Sequence, residues 1–265
     1  GNDFEIISET VLYLGHFSVS HFGNTLIDNL SRLWYVPDRN VKLVFTASKN
    51  WVETAYFHKL LFLLGFDKEQ LQRIQGKTKL RRVIVPQQSF IHDRYVLPVY
   101  RSIFERMKSN MQFEEMPVND RIYLTRRQLK RKKEVGEQQI EDFFVANGYQ
   151  PIALETLSLE KQAYILSHCK EVASIEGTHA HSIVWSNGNI IRKQSECIPR
   201  QMMLNEVFAV PLVFVDAFVE PYKGFPISHD RGPFLLRWND CLENFANNEE
   251  MQIPKTNTAI RRTGL

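Results

Sequence analysis

Two clusters of chemistry-bearing residues stand out in this chain. The first is Arg126, Arg127, Arg131 and Lys132, directly after the strand-like run Arg121-Ile122-Tyr123-Leu124-Thr125. The second is Glu176-Gly177-Thr178-His179-Ala180-His181-Ser182, directly after Val172-Ala173-Ser174-Ile175. A strand that empties into a Gly-Thr/Ser turn and then a helix aims backbone N–H groups at one spot, and such a spot binds anions. Two such junctions in one α/β unit, one of them rich in arginine, read as a site for a diphosphate. Arg126, at the strand end, could fork two N–H bonds onto phosphate oxygens. Gly177 permits a tight turn and close backbone approach, while Thr178 and Ser182 offer hydroxyls. His179 and His181 lie two residues apart and cannot share a helix face, so one of them is expected to face a cleft. A third group is His21, Asn24 and Asp28, where Asp28 lies one helical turn past Asn24 and shares its face. His92 lies in a loop after a strand near Val85.

Each signal has a plainer reading. The arginine run could be a solvated helix face, or a patch for nucleic acid or an anionic membrane. Thr178 or Ser182 could be an ordinary helix cap, and Asn24 another. His21 could be a turn residue and Asp28 a surface charge. Other chemistries lack their motifs: Gly-x-Ser-x-Gly, Walker A and the Rossmann Gly-x-Gly-x-x-Gly are absent, as is an Asp-x-Asp pair for a metal-held diphosphate. The three cysteines, Cys169, Cys197 and Cys241, have neither disulfide-framework nor zinc-ligand spacing and suit a reducing compartment.

The elements that position these residues alternate between strand and helix. Val11–Leu14 and Val41–Phe45 read as strands, with helical spacing over 24–35 and over 51–64 ended by Gly65. Residues 68–74 read as helical, 82–86 as a strand and 100–111 as a helix. After a linker at 116–120, the strand at 121–125 is followed by a helix over 137–146, a strand at 151–153, a helix over 159–168 and the strand at 172–175. A helix near His181, a strand at 190–191, a helix or loop near 201–206 and a strand at 210–215 complete the alternation. Repeated alternation implies parallel sheets covered by helices. We expect two units, 1–117 and 118–230, with a cleft between them, and a closing helix and tail over 231–265.

The 265 residues carry a net charge of +3, with 43% hydrophobic and 24% charged residues, an ordinary globular composition. Charge this mild does not imply a nucleic-acid partner, although it could help the protein sit near an anionic membrane or polysaccharide. Neither a membrane-spanning run nor a signal peptide is found, which suggests a cytoplasmic protein at most peripherally attached to the inner membrane face. The opening Gly1, running almost at once into strand-like sequence, reads as the start of a domain of a longer protein.

Several short motifs, in order, resemble glycosyltransferase family 61. They are His21-Phe22-Gly23-Asn24, Leu30-Ser31-Arg32-Leu33-Trp34, the run Arg121 to Arg127, Gly136-Glu137, Gly148-Tyr149, Leu157-Ser158 with Glu160-Lys161-Gln162, and the loop Glu176 to Ser182. The chain departs from the family pattern at Asn24, where a second histidine is usual, and at Gly136, where Asn is usual. The resemblance covers roughly residues 10–215 and implies a GT-B fold, α/β with two Rossmann-like domains. It also implies an inverting, metal-independent transfer of a sugar from a nucleotide sugar to a glycan acceptor, of the capsule, lipopolysaccharide or exopolysaccharide type, with no cofactor. On this reading the donor is held by Arg126, Arg127, Arg131, Glu176, Gly177, Thr178, His179, His181 and Ser182. Asn24 and His92 lie on the acceptor side, and His21 or Asp28 is the base that takes the acceptor hydroxyl's proton. The rivals are a non-catalytic nucleotide-sugar-binding domain and, less well supported, a nucleic-acid-binding module.

Overall fold

The computed structural model describes residues 4–129, 134–175, 177–186, 189–193, 199–215, 218–221 and 234–236. In chain order, β1 is Glu5–Phe17, β2 Lys42–Ala47, β3 Leu71–Arg73, β4 Thr78–Ile84, β5 Phe90–Ile91, β6 Tyr95–Val96, β7 Arg121–Leu124 and β8 Glu134–Val135. Then follow β9 (Gln150–Ile152), β10 (Glu171–Ile175), β11 (Asn189–Lys193), β12 (Leu212–Val215), β13 (Phe218–Pro221) and β14 (Phe234–Leu236). Two parallel sheets dominate: β3-β2-β1-β4, and β12-β11-β10-β7-β9. The protein is therefore α/β with parallel sheets, compatible with a Rossmann-like arrangement. In the second sheet, Val172, Ala173 and Ile175 of β10 are all buried, as expected of a strand covered on both faces.

The helices are α1 (Phe22–Asn24), α2 (Ala55–Leu63), α3 (Arg101–Ser109), α4 (Glu137–Ala146), α5 (Leu159–His168) and α6 (Pro199–Val207). Local chemistry sets their ends. The side chain of Thr54 caps α2 and that of Ser158 caps α5. Gly136, at φ +93, turns the chain into α4 through a conformation that side chains resist.

Three local expectations change. The helix expected over 24–35 is only the short α1, which widens into a π-turn over Thr25–Asn29 where Leu30 N–H reaches back to Thr25 C=O at 3.2 Å. Asn24, Thr25, Asp28 and Asn29 are poor helix formers, and the Ser31 hydroxyl donates to Asp28 C=O at 2.6 Å, competing for the helix's own acceptor. A wide turn of this kind is frequent at functional sites. Residues 68–74 form one 3₁₀ turn followed by β3, because Leu71 to Arg73 pair with β2 instead. Phe234–Leu236, expected within a closing helix, pair as a strand with β13 and β8. The rest of that helix lies outside the described residues.

The main hydrophobic core draws on both sheets. Phe104 of α3 meets Trp185 edge-on at 5.3 Å and Phe208 at 5.5 Å, and Tyr100 reaches Phe208 at 6.1 Å. Met116 and Val118, in the expected linker, pack against the same cluster. Residues before and after position 117 thus share one apolar core.

Candidate active site

Strands β7 and β10 are parallel neighbours, with Ser174 beside Leu124, so the chain leaves both at the same sheet edge. That edge is the carboxyl end of the strands, where open parallel sheets place their ligands. From β7 the chain passes through Thr125 into Arg126, and from β10 into Gly177 and a 3₁₀ helix, Thr178–Trp185. The two junctions meet closely. A Cβ added to Gly177 would fall 2.5 Å from Arg126 Nη1 and 2.9 Å from its Cζ. The guanidinium therefore lies over the glycine in space that no side chain could share. At φ +153, Gly177 also has a backbone conformation suited to glycine.

Arg126 is anchored from below. Glu137, 1% exposed at the start of α4, accepts the Arg126 backbone N–H at 2.7 Å. The buried carboxylate ties the strand exit to the helix N-terminus, where negative charge is favoured. Arg127 turns away: its Nη1 pairs with Glu141 at 2.8 Å on the next turn of α4. Of the remaining expected donor-binding residues, Arg131 and Glu176 lie outside the described residues, as does Lys132 of the basic run.

A cavity of about 410 Å³ opens at this junction. Its polar lining is Arg126, Glu155, Gln162, Thr178, His179 and Ser182; Leu129, Leu154, Leu157 and Leu159 give an apolar wall, and Phe22 and Tyr56 close it from the first sheet's side. The first half is brought here by Gly23, where a Cβ would stand 2.8 Å from His181 Cδ2 and 2.9 Å from Thr178 Cγ2. We expect Gly23→Ala to cost about 1–3 kcal/mol by overpacking. The Thr178 methyl can swing aside, but the His181 ring is held on its far side by Gln201. Thermal unfolding of the variant measures the loss.

The two histidines divide as their spacing implies. His179 lines the cavity, and although the residue is half-buried, neither ring nitrogen reaches solvent or meets a partner among the described residues. Burial, then the nearby Arg126 and His181, hold its pKa well below the usual histidine range, so the ring is neutral. Ser182 is 1% exposed and its hydroxyl is also buried without a partner among the described residues. Unpartnered buried polar groups are costly; here both belong to residues that line the cavity. The 3₁₀ helix has no side-chain cap, so neither Thr178 nor Ser182 serves the capping role considered above.

His181 points the other way, with Nδ1 at 2.9 Å from Gln201 Oε1, and burial pushes its pKa down to about 4. Arg200 and His92 are close enough to disfavour its protonation further, and both also act on Asp28, where their charges favour the carboxylate. Burial nonetheless dominates at Asp28 and raises its pKa. Asn24 donates to Asp28 Oδ2 at 3.4 Å rather than capping a helix. His92 pairs with Asp93. His21 occupies the N-cap position of α1, is exposed, and makes no side-chain hydrogen bond there. The arrangement thus has two parts: a hydroxyl-bearing pocket with the Arg126 guanidinium and the Glu155 carboxylate on its lining, and, apart from that lining, the Asp28 carboxylate with a raised pKa.

Tyr56, Leu154, Glu155, Arg200 and Gln201 were not singled out in the sequence, whereas Gln162 stood in the Glu160-Lys161-Gln162 motif. Of the former, Gln201 alone carried a signal, since Gln201 and Asn205 form an i, i+4 polar pair beside the apolar Leu204. Among the described residues, no group of three or more His, Cys, Asp or Glu side chains is placed to hold a metal ion, and no helix is long and apolar enough to cross a membrane. The family model for glycosyltransferase 61 matches residues 22–192. No curated protein matches the chain.

Proposed function

Because the chain belongs to glycosyltransferase family 61, we propose that it transfers a sugar, with inversion, from a nucleotide-sugar donor to a glycan acceptor across a GT-B-type cleft. The observation that carries the reading is the joining of Arg126, His179 and Ser182 in one cavity, with an apolar wall beside them. A departing nucleoside diphosphate gathers negative charge as the bond from its oxygen to the sugar breaks. Fixed donors in a site shielded from water stabilise that charge more than solvent does. Arg126 supplies the positive charge. Neutral His179 and the hydroxyls of Thr178 and Ser182 supply further N–H and O–H donors. The reaction in this reading depends on these side chains rather than on a metal ion. The apolar wall suits the nucleoside.

Asp28 is the proposed base. The acceptor hydroxyl gives up its proton to the carboxylate as its oxygen attacks the sugar carbon, from the face opposite the leaving diphosphate. A raised pKa makes Asp28 a better proton acceptor than an ordinary surface carboxylate. His21, exposed at the start of α1, is the less favoured alternative. By family analogy the acceptor is a growing surface glycan and the enzyme works at the cytoplasmic face of a membrane.

Asp28→Asn separates function from stability. The folded-state pKa of Asp28 lies above its ordinary value. Stability is therefore lost as pH rises from the ordinary carboxylate value through the raised one, because the buried group must then ionise. The Asn variant should fold at least as stably as the parent at neutral pH. Its advantage should vanish below the ordinary carboxylate range. Turnover should fall on the order of 10²-fold or more, while donor affinity holds. Transfer and hydrolysis assays with a panel of nucleotide sugars, alongside calorimetry, test the whole reading. Tight binding without turnover under any acceptor would instead indicate a binding domain.

A further inference from the structure

Behind the cavity, a chain of buried amides fixes the state of His181. Gln201, fully buried, uses Nε2 to donate to Ala180 C=O at 3.2 Å and to Asn205 Oδ1 at 2.8 Å. Asn205, 3% exposed, uses Nδ2 to donate to Val210 C=O at 3.0 Å. A carbonyl only accepts, so Val210 orients the Asn205 amide, and Asn205 with Ala180 orients the Gln201 amide. Gln201 is left with only Oε1 facing His181 Nδ1, at 2.9 Å. An oxygen there requires a proton on Nδ1. In the neutral ring, Nε2 then carries the lone pair.

The Cδ2–Nε2 edge lies against Gly23, since Nε2 is 3.4 Å and Cδ2 2.8 Å from the position a Cβ would take there. That edge is thus at the seam between the first half's His21–Asn24 motif and Thr178 of the cavity wall. We propose that Gln201 is a positioning residue that holds His181 in the Nδ1–H form, so that Nε2 accepts a hydrogen bond from a hydroxyl of the sugar acceptor at this seam. The proposal rests on the glycosyl-transfer reading above. His181 moves no proton; it orients the hydroxyl-bearing ring while Asp28 takes the proton. Burial of the ring, with Arg200 and His92 nearby, keeps it neutral and so preserves the lone pair.

The test is a long-range ¹H–¹⁵N spectrum of histidine-labelled protein, with the His181 signal assigned by its loss in His181→Asn. The parent should show the Nδ1–H form, the minority form of free histidine. Gln201→Met, similar in length but only a weak acceptor, should shift His181 to the Nε2–H form. It should raise the KM for acceptor about tenfold, while the donor Kd stays within about twofold. Gln201→Glu keeps an oxygen against Nδ1 and should keep Nδ1 protonated, but its carboxylate favours the imidazolium, so acceptor affinity should be low near neutral pH and recover as pH is raised. A residue needed only for packing would not divide the two variants this way. An Nε2–H form in the parent overturns the proposal even if Gln201→Met fails to fold. An unchanged acceptor KM in Gln201→Met overturns it as well. Failure of the parent to bind any nucleotide sugar is a separate result: it would sink the transferase reading and leave the tautomer measurement standing.

Discussion

Arg126→Ala should lower affinity for a nucleoside diphosphate on the order of 10²-fold while leaving the fold intact. The loss is large because the guanidinium lies over Gly177 beside a neutral histidine and a buried hydroxyl, and charged hydrogen bonds in desolvated sites are worth several-fold more than exposed ones. The fold survives because the contact that ties this residue to α4 is its backbone N–H, accepted by Glu137 at 2.7 Å, and alanine keeps it. Arg126→Lys should recover only part of the affinity, since an ammonium restores the charge without the fork. Calorimetry with uridine and cytidine diphosphates reads the effect, and circular dichroism checks the fold. Arg127→Ala is the control: its pairing with Glu141 turns it from the cavity, so donor affinity should change little.

Trp185→Ala should produce the largest loss of stability. The side chain is fully buried and sits on the 3₁₀ helix that also carries His179 and Ser182. It packs edge-on against Phe104 of α3, which continues to Phe208 and Tyr100. Removing a buried tryptophan costs about 3–5 kcal/mol, or roughly 10 °C in melting temperature for a protein of this size. One core joins both sheets, so the parent should unfold in a single transition and the variant should move all of it. Two separate calorimetric transitions, only one of them shifted, would mean that the halves are energetically independent. Trp185→Phe should recover most of the loss.

Much of the local structure was legible in the sequence. Helices α4 and α5 match their expected spans, because their apolar spacing and flanking Gly136 and Ser158 act within a few residues. The parallel α/β character followed from the alternation. What the sequence hides is nonlocal. That β7 and β10 are neighbours is a matter of strand order, which no local pattern encodes, yet this adjacency is what brings Arg126 to Gly177. The π-turn after α1 also escaped, since Leu26, Ile27, Leu30 and Leu33 have helical spacing and all are buried, as in a regular helix. Only the competing Ser31 hydroxyl and the poor helix formers betray it.

The site divides along the same line. The loop at 177–182 and Arg126 were recognisable from strand-to-turn chemistry. Arg127 read as a second candidate behind Arg126, and its turn away from the cavity was hidden because its partner, Glu141, lies fourteen residues on. Of the wall at Leu129, Leu154, Leu157 and Leu159, only Leu157 was marked, in the Leu157-Ser158 motif; the others look like ordinary packing. Glu137 was visible as the acid of the Gly136-Glu137 motif at a helix start, not as the anchor of Arg126.

The most direct test of the account is a crystal of the protein soaked with a nucleoside diphosphate. The account predicts phosphate oxygens within about 3 Å of the Arg126 guanidinium and of a His179 ring nitrogen or the Ser182 hydroxyl, with the nucleoside against Leu154 and Leu157. Diphosphate bound elsewhere on the protein, with Arg126 and His179 contacting no ligand, would contradict it.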